Sequence, residues 1–359
     1  MPLDWRFGRD ILSGLLQANQ EGSYGWSFTS HLWREEEVWT LQKHQPPDVV
    51  VGSFYNPRKS AFWKTQNIPI VNISGGEALP ENIPTITADN EKVGELAARH
   101  FIEKGFSSFA YINGQHAPVG QIRGRAFRQH LPPNARFSSF DELLEPAKMK
   151  PFFQQLPSST AIFCATDLIA RYVITALGQT GAKVPEDFAV LGVDDDPIHN
   201  RLSPVPISSI DIRPEAIGRE VGHRIHELLQ GTPLARKQLL PPGELIVRQS
   251  TDILALNDPE FAAFLSHLRQ RACEPVGVRE IIETRFGSRR TLENKCRRIL
   301  GRSVLEEVYR CRLETARQLL LGTSLTLEEI SHRCGFCNPP HFSRKFKKAY
   351  GQSPGQYRK

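Results

Sequence analysis

The sequence predicts an α/β fold with parallel sheets over the first 252 residues, followed by an all-α domain. In the first part, short β-branched or aromatic runs alternate with amphipathic helical stretches, and the runs end at Gly, Asn or Asp. In the second part, every segment has helical periodicity and none has the character of a strand. Strand–helix alternation is typical of parallel sheets with helices on both faces.

The elements follow one another closely along the first part. The strand candidates are residues 48–52, 68–73, 85–87, 108–112, 160–164 and 188–193, with a loop and a final strand at 240–248. The helical candidates between them are 90–104, 168–180 and 214–230. Two such α/β halves fit within this length and would leave a cleft between them. An Asx cap and a first-turn proline at Asn257-Asp258-Pro259 predict domains at 1–252 and 259–359, joined by a linker at 253–258.

Composition argues against several classes of protein. No run of about 18 apolar residues appears, and the N-terminal residues lack the apolar stretch of a secretory signal. These two features predict no membrane segment and no secretory signal. Six cysteines in 359 residues are too few for a disulfide framework, which favours a cytoplasmic protein. The motif HExxH and the phosphate-binding P-loop are absent, so we expect no enzyme, no catalytic residues and no cofactor.

Positive charge is concentrated at the C-terminal end. Residues 257–359 contain 20 Lys and Arg against 11 Asp and Glu, whereas the preceding 256 residues contain 25 against 28. The formal net charge of +6 therefore comes entirely from the C-terminal segment. A compact domain with this excess attracts polyanions, and each phosphate that it neutralises releases a counterion. Charge alone leaves open a domain that is merely basic and well solvated.

The all-α part contains an internal duplication. Its copies span about 278–300 and 327–350, with core positions offset by 49 residues before the turn and 50 after it. Each copy has a short amphipathic helix, a turn that contains glycine, a Ser or Asn cap, and a second helix that ends at glycine. This order is typical of a helix-turn-helix unit. The long helix predicted over 304–321 would set the distance between the two units.

The second helix of each unit is unusually basic. Leu292, Cys296 and Ile299 are spaced to form an apolar stripe that faces inward in the first unit, as are Phe342, Phe346 and Ala349 with Tyr350 in the second. The polar and basic side chains lie on the opposite, outward faces. In that position we expect them to read base edges in the major groove of DNA or to neutralise phosphates. They are Arg289, Arg290, Asn294, Lys295, Arg297, Arg298, His341, Arg344, Lys345, Lys347 and Lys348.

Cys334 and Cys337 have the CxxC spacing that also occurs in zinc and redox sites. No second Cys/His pair with ligand spacing lies nearby in the sequence, and Cys334 falls on the inward side of a turn. We therefore predict a buried core cysteine and no metal site.

These residues resemble the DNA-binding domain of the AraC class of transcription regulators. The resemblance rests on fixed spacings within 312–320, 330–336, 341–348 and 351–358. By position it implies base contacts from Arg290, Glu293, Asn294, Pro340, His341 and Arg344. Pro340 has no donor to offer a base. The set predicted to contact DNA is therefore Arg289, Arg290, Glu293, Asn294, Lys295, Arg298, His341, Arg344, Lys345 and Lys348, with Arg290, Asn294, His341 and Arg344 as the principal base readers.

Polar side chains in the first domain fall where parallel strands end in loops, at the edge where such folds bind ligands. They are Asp89, Asn90, Arg123, Asp167 and Asp194. A carboxylate accepts two hydroxyl groups and an arginine donates in a fork, so this set is suited to clamp a sugar. The alternative for each aspartate is that it caps a helix or a turn.

The first domain resembles the periplasmic-binding-protein-like sensor domains of the LacI class over most of residues 7–250. The matching motifs include Ala88-Asp89-Asn90, Ala165-Thr166-Asp167 and Gly192-Val193-Asp194. The ligand residues that the resemblance implies are Phe7, Asp89, Asn90, Arg123, Asp167 and Asp194, with Trp26 and Phe54 as further aromatic candidates.

One difference from that class concerns the first strand. In the class a strand precedes the helix that begins here near Phe7, and residues 1–6 do not predict one. We therefore expect two-lobed, periplasmic-binding-protein-like parallel sheets with the first strand missing. Three explanations are open: a true start codon upstream, another segment in the same slot, or a poorly formed N-terminal half. We favour the first.

A LacI-like sensor joined to a C-terminal AraC-type domain resembles the XylR-like xylose operon activators. The resemblance implies a homodimeric transcription activator that binds promoter DNA and contacts RNA polymerase. It also implies control by a small sugar, with a pentose expected, in the N-terminal cleft. The alternative is a DNA-binding regulator whose sensor has lost sugar binding and acts constitutively or through another effector.

Overall fold

The computed structural model describes residues 6–29, 45–54, 62–63, 65–75, 83–114, 118–253, 259–274, 278–281, 286–300 and 302–358. The chain divides into two compact units, Met1–Ile253 and Leu254–Lys359, each with its own apolar core. Residues 254–258 of the predicted linker lie outside the described part. No helix among the described residues is both long and apolar enough to cross a membrane.

Strands and helices alternate along the first unit, which confirms the predicted α/β fold. Its elements are α1 (Arg6–Gly22), β1 (Val50–Gly52), β2 (Ile70–Asn72), β3 (Thr85–Ala88), α2 (Asn90–Glu103), β4 (Ser108–Ile112), α3 (Pro118–Gln129), β5 (Arg136–Phe140), α4 (Pro146–Gln155), β6 (Thr160–Cys164), α5 (Asp167–Gln179), β7 (Phe188–Val193), α6 (Pro197–Leu202), β8 (Ser208–Ile210), α7 (Pro214–Leu229), β9 (Lys237–Leu240) and β10 (Leu245–Ile246).

The first lobe is built on a parallel sheet with the strand order β1-β2-β3-β9. Helices α1 and α7 pack against each other, and α7 also packs on β3. Strand β1 pairs directly with β2, from Val50 opposite Ile70 to Gly52 opposite Asn72. Residues 1–5, where the prediction of a missing first strand falls, lie outside the described part of the chain.

The second lobe is built on a sheet with the order β10-β8-β7-β6-β4-β5. Its strands are parallel except β10, which pairs antiparallel with β8 at the edge. The long central strands β6 and β7 are buried along their whole length, which is why they read as continuous apolar runs. Helix α2 belongs to this lobe because it packs on α3, with Phe101 against Phe127.

Three segments carry the described chain between the lobes: β3 to α2, β8 to α7, and β9 to β10. Main-chain hydrogen bonds join these crossing segments to one another. The N–H of Asp89 donates to Leu240 O at 2.8 Å, and the N–H of Gly243 donates to Asp211 O at 2.8 Å. The crossings therefore meet at one place, next to the strand ends where the sequence predicts the ligand residues.

The second unit is helical in all its described parts, as predicted. Its elements are α8 (Pro259–Arg271), α9 (Val278–Ile281), α10 (Arg289–Leu300), α11 (Val304–Gly322), α12 (Leu327–Arg333), α13 (Pro339–Tyr350) and α14 (Pro354–Arg358). Two capping boxes begin α11 and α12: Ser303 with Glu306, and Thr326 with Glu329.

Two apolar clusters form the core of the second unit, and α11 contributes to both. Val304 and Val308 pack with α8 and α10, whereas Leu313, Ala316 and Leu320 pack with α12 and α13. One continuous helix thus supports both helix-turn-helix units. The predicted inward stripe of α13 holds for Phe342 and Phe346, which are fully buried, but is wrong for Ala349, which is exposed. Tyr350, which is also predicted to face inward, packs against the cluster through its ring.

Gly218 allows α7 to pack closely on α1, and an alanine there should destabilise the first lobe. A Cβ at Gly218 would lie 2.1 Å from the main-chain oxygen of Ile11, so the helices would have to separate. We expect Gly218→Ala to lower the free energy of unfolding by about 1–3 kcal/mol, measured by urea denaturation. Gly178→Ala is the matched control, because that helical glycine has no atom within 4 Å of the added Cβ. It should stabilise by up to about 1 kcal/mol, and equal effects of the two changes would contradict the packing argument.

Candidate functional site

Arg123, in α3, brings several of the predicted ligand residues together. Its side chain is 3% exposed, and its Nε donates to Asn90 Oδ1 at 2.8 Å. Its Nη1 donates to the main-chain oxygen of Ala165, at the end of β6, and lies 3.9 Å from Asp194 Oδ1. Asn90, Arg123 and Asp194 therefore form one cluster at the carboxyl ends of the strands.

Asp167, at the start of α5, is 2% exposed and both of its carboxylate oxygens are engaged. Oδ1 accepts from Ser209 Oγ and Oδ2 accepts from the N–H of Asp196, each at 2.7 Å. Burial raises the pKa of Asp167 well above its usual range, and the nearby charge of Asp194 adds to the rise. A Cβ on Gly192 would lie 2.1 Å from Oδ1, so the glycine makes room for the carboxylate. Asp167 thus anchors the loop after β7, and its contact with a ligand stays a prediction.

The loop after β7 has an unusual backbone. Asp194 and Asp195 have φ angles of +102° and +48°, in the left-handed region that favours glycine. Partial burial raises the pKa of Asp194 to about 6, while the charge of Arg123 acts in the opposite direction. A non-glycine backbone held in this region indicates that surrounding contacts impose the conformation.

Two arginines outside the predicted set of ligand residues make the contacts that hold this backbone conformation. Arg6, in the first turn of α1, donates from Nη1 to the main-chain oxygens of Asp194, at 3.1 Å, and Asp195. Arg248 reaches the same loop, with its Nη2 2.6 Å from Asp195 Oδ1. Residues 188 positions apart share no local pattern, so only the fold brings Arg6 to this loop.

Asp89 has the capping role that the alternative interpretation gives it. Its Oδ1 accepts from the N–H of Lys92 at 3.1 Å, at the start of α2. Next to it, Asn90 is 5% exposed and donates from Nδ2 to Ala88 O. A cavity of about 370 Å³ opens beside both residues, which is within the size range of small-ligand pockets. Residues of both lobes line it, including Thr87 and Leu239 from the first and Arg125 from the second.

The remaining predicted ligand residues lie outside the lining of this cavity. Arg123, Asp167 and Asp194 form the cluster described above, and Phe7 is half-buried in the first turn of α1. Among the further aromatic candidates, Phe54 belongs to the apolar core of the first lobe. Trp26 stacks on Tyr24, with 4.7 Å between ring centroids.

Helix α10 presents a polar face in the second unit. Arg289, Arg290 and Asn294 are exposed, whereas Leu292 and Cys296 are buried. The polar side chains are therefore available to a partner, while the apolar stripe fixes the rotation of the helix about its axis.

Two other predicted DNA contacts on α10 have structural partners. Glu293 is half-buried, and its Oε2 accepts from the N–H of Val304 at 3.3 Å, at the start of α11. Lys295 Nζ lies 5.9 Å from the ring centroid of Phe261. The side chain of Arg298 lies outside the described residues.

Helix α13 begins as the sequence predicts, with Asn338 Oδ1 accepting from the N–H of His341 at 2.8 Å. Arg344 and Lys348 are exposed. His341 is half-buried, and its ring packs edge-on against Tyr309 and Phe336, with centroids 5.6 and 5.9 Å away.

Contacts with Tyr309 also hold Lys345, whose Nζ lies 4.3 Å from the centroid of that ring. Partial burial lowers the pKa of His341, and the charges of Lys345 and Arg344 lower it further. His341 therefore presents a neutral, oriented ring near neutral pH.

Glu307, in α11, is a fully buried carboxylate surrounded by guanidinium groups. Arg269 Nε lies 2.8 Å from Oε1, Arg302 Nε lies 2.9 Å from Oε2, and Arg310 donates to both oxygens at 3.0 Å. Burial raises its pKa, but the hydrogen bonds from Arg310 and the charges of the other arginines outweigh this effect, so the pKa falls to about 2. The cluster joins α8, the loop before α11, and α11 itself.

Arg312 makes a second buried connection in this unit. It is 6% exposed, and it donates to the main-chain oxygens of Ala272, after α8, and Gly335, after α12. The adjacent Cys334 is fully buried, which confirms the prediction of a core cysteine. No group of His, Cys, Asp or Glu in the described parts of the chain could hold a metal ion.

Comparison with known proteins identifies relatives of the whole chain. The family model described as a periplasmic binding protein-like domain matches residues 98–251, and the helix-turn-helix domain model matches residues 286–359. The xylose operon regulatory protein of Escherichia coli strain K12 is 30% identical over 328 residues, which cover 87% of this chain and 83% of that protein. Its counterpart in Haemophilus influenzae is 27% identical over 327 residues, 87% and 84% of the two chains.

A solved structure described as the xylose-binding transcription activator xylR is also similar. It superposes with a TM-score of 0.76 and 26% identity, covering 99% of this chain and 96% of that chain. The likeness includes both the α/β unit and the helical unit, since nearly the whole chain is matched.

Replacing Glu307 should test the buried arginine cluster. Glu307→Gln removes the charge that compensates three guanidinium groups, and we expect the free energy of unfolding to fall by about 3–5 kcal/mol. The neighbouring Glu306→Gln is the control, because that side chain is exposed at a helix start and its loss should cost no more than about 1 kcal/mol.

The effect should also depend on pH. The folded pKa of Glu307 is about 2, below its ordinary value of 4.5, so its stabilisation is fully present above about pH 4.5 and is lost as the pH falls toward 2. Urea denaturation at pH 7 and pH 3 measures both effects. A difference between wild type and variant that does not shrink at pH 3 would contradict this account.

Proposed function

The chain belongs to the family of the xylose operon regulatory proteins, and from this premise we propose that a small sugar in its sensor cleft changes its affinity for promoter DNA. Like the members of this family, it is a DNA-binding transcription regulator and not an enzyme. A pentose is the proposed effector, because the named relatives regulate xylose operons or are described as xylose-binding.

The observation that carries the sugar proposal is the cluster of Asn90, Arg123 and Asp194 beside the crossing segments. It combines amide, guanidinium and carboxylate groups, and one of its members, Asn90, also lines the 370 Å³ cavity. Such groups bind sugar hydroxyls by accepting and donating in fixed directions. A ligand held there would contact both lobes and would therefore respond to, and influence, the angle between them.

The proposed DNA contacts lie on α10 and α13. The exposed Arg290, Asn294 and Arg344 are proposed to read base edges, together with the oriented ring of His341. The remaining basic side chains are proposed to neutralise phosphates; these are Arg289, Lys295, Arg298, Lys345 and Lys348. Glu293 is proposed to act mainly by tying α10 to α11, in view of its bond to Val304.

The finer aspects of the proposal concern assembly and location. A homodimer would place two pairs of reading helices on repeated half-sites, which is the common arrangement for helix-turn-helix regulators. Six cysteines in 359 residues are too few for a disulfide framework, which supports action in a reducing cytoplasm. As an activator, the protein is proposed to contact RNA polymerase at the promoter.

Substitutions on the two reading helices should separate base contacts from phosphate contacts. Arg290→Ala and Arg344→Ala should each weaken binding to a site obtained by in vitro selection by about 1–3 kcal/mol and relax base preference. Lys348→Ala should weaken selected and random DNA alike and reduce the salt slope by about one. Fluorescence anisotropy at several salt concentrations measures both quantities.

Arg136→Ala serves as the control for lost positive charge, because Arg136 is exposed on β5 in the other unit. It should leave affinity and salt slope unchanged. An equal loss on selected and random DNA for Arg290→Ala and Arg344→Ala would contradict base reading by these two residues.

Sugar binding should stabilise the protein and depend on Asp194. A pentose at 100 times its dissociation constant should add about 2.7 kcal/mol to the free energy of unfolding, measured by thermal shift. Asp194→Asn should weaken binding by about 1.5–3 kcal/mol, whereas Asp48→Asn, at an exposed site in the first lobe, should not. Because the pKa of Asp194 is about 6, protonation below that pH should weaken sugar binding as well. A flat profile against pentoses and hexoses would contradict sugar control and favour constitutive DNA binding.

A further inference from the structure

The chain leaves the sensor through residues 248–253, named here the exit segment, and this segment is locked into the second lobe. Ser250 and Thr251 are fully buried. Ser250 Oγ donates to Val190 O at 2.6 Å and accepts from the N–H of Ser208 at 2.8 Å. Thr251 Oγ1 lies 2.7 Å from Ser208 Oγ and 3.0 Å from His100 Nε2.

Burial lowers the pKa of His100 to about 3, with the charge of Lys104 acting in the same direction. His100 is therefore neutral at pH 7, and its bond to Thr251 is present throughout the physiological range. The end of the exit segment thus has a fixed set of partners inside the second lobe.

Arg248 opens the exit segment and connects it to the cleft. Its side chain is 9% exposed, and its Nη2 lies 2.6 Å from Asp195 Oδ1, while Nη1 donates to Ile207 O at 2.8 Å. Its main-chain N–H donates to Ser208 Oγ at 2.8 Å, the same hydroxyl that Thr251 contacts. One side chain and one serine therefore link Asp195 to the buried end of the segment.

The other end of this connection is the loop of Asp194 and Asp195. Arg6, from the first lobe, donates to both main-chain oxygens of the loop, while Arg123, from the second lobe, lies 3.9 Å from the Asp194 carboxylate. A change in the angle between the lobes must therefore alter the contacts of this loop. Its left-handed backbone at two successive residues is held by these contacts, so a change in them favours a different backbone arrangement of the loop.

We propose that the ion pair between Asp195 and Arg248 positions the exit segment according to the occupancy of the cleft, and so carries the sugar signal toward the DNA-binding unit. The inference rests on the proposed function, since it assigns the route by which a bound sugar acts. Asp195 and Arg248 are positioning residues here. Asp195 moves with the loop after β7, and Arg248, which is paired with it, holds the start of the exit segment. The exit segment is followed in the chain directly by residues 254–258 and the helical unit.

The test uses the full-length protein with D-xylose as the probe and a DNA site obtained by in vitro selection. The variants are Asp195→Asn, Arg248→Met and the double variant, with Arg136→Met as the matched control at an exposed arginine on β5. In wild type and control, we expect D-xylose to change the apparent dissociation constant for DNA by at least about fivefold. In Arg248→Met we expect a change below about twofold, measured with D-xylose at about 100 times its dissociation constant for that variant, so that a weaker affinity for the sugar does not itself reduce the response.

The double variant tests whether the two residues act as one unit. It should lose no more of the response than either single variant, because each single change already removes the ion pair. If the loss of the D-xylose response in the double variant equals the sum of the losses in the two single variants, the ion pair is not the route of the signal. If Arg248→Met folds poorly, Arg248→Lys is the alternative variant. Lysine keeps the positive charge but lacks the two-pronged donor geometry of the guanidinium, so it should retain part of the D-xylose response.

A second measurement needs no sugar and separates this inference from the proposed function. The N–H of Ser250 donates to Pro206 O and that of Asp252 to Gln249 O, so both amides report on the exit segment. Hydrogen exchange at these amides should be at least about tenfold faster in Asp195→Asn than in wild type or Arg136→Met. Unchanged exchange in Asp195→Asn, or a full D-xylose response in Arg248→Met, overturns the inference. If wild type binds no sugar, the proposed function fails, and exchange alone decides whether the loop holds the exit segment.

Discussion

In each unit the arrangement of the loops depends on one buried arginine that donates hydrogen bonds to oxygens of two other elements. Arg123 is 3% exposed and Arg312 is 6% exposed. A buried guanidinium without partners is strongly unfavourable, so the oxygens around it cannot move independently of it. Arg123 fixes the end of β6 against the start of α2, and Arg312 fixes the end of α8 against the turn after α12. Each arginine thus joins elements that no continuous sheet or helix connects.

In the helical unit this constraint acts together with α11. The helix has 19 residues, which makes it about 28 Å long, somewhat less than one turn of B-DNA. Its first half packs in one apolar cluster and its second half in the other. Helices α10 and α13 are therefore carried on one rigid support, and neither can turn without disturbing the cluster that buries its own apolar stripe. The two helices that are proposed to contact DNA are therefore held at a fixed spacing, so a regulatory change would act on the helical unit as a whole.

The sequence allowed most of the regular structure to be predicted, because buried strands and amphipathic helices have periodic signals. Strands 160–164 and 188–193 and the cap at Asn338 were identified in this way. Strand β5 was missed because it lies at the sheet edge and alternates weakly, with two of its five residues exposed. The site was predicted only in part. Residues that follow strands, such as Asp194, carry a positional signal, whereas Arg6 and Arg248 act on that loop across 189 and 53 positions and have none. Side-chain reach across a fold cannot be read from spacing along the chain.

The geometry also distinguishes among aspartates that the sequence could not rank. A carboxylate has about four lone-pair sites, and one that accepts hydrogen bonds from its own protein has fewer sites left for a ligand. Asp89 accepts from the start of α2, and Asp167 is buried with both oxygens engaged. The Asp194 carboxylate is 32% exposed and lies 3.9 Å from Arg123 Nη1, which is beyond hydrogen-bond distance. A hydroxyl oxygen about 2.8 Å from both atoms would accept from the arginine and donate to the carboxylate. One sugar hydroxyl placed to the side of the line between Arg123 Nη1 and Asp194 Oδ1 could therefore contact both atoms, which is why the proposed effector site centres on this pair.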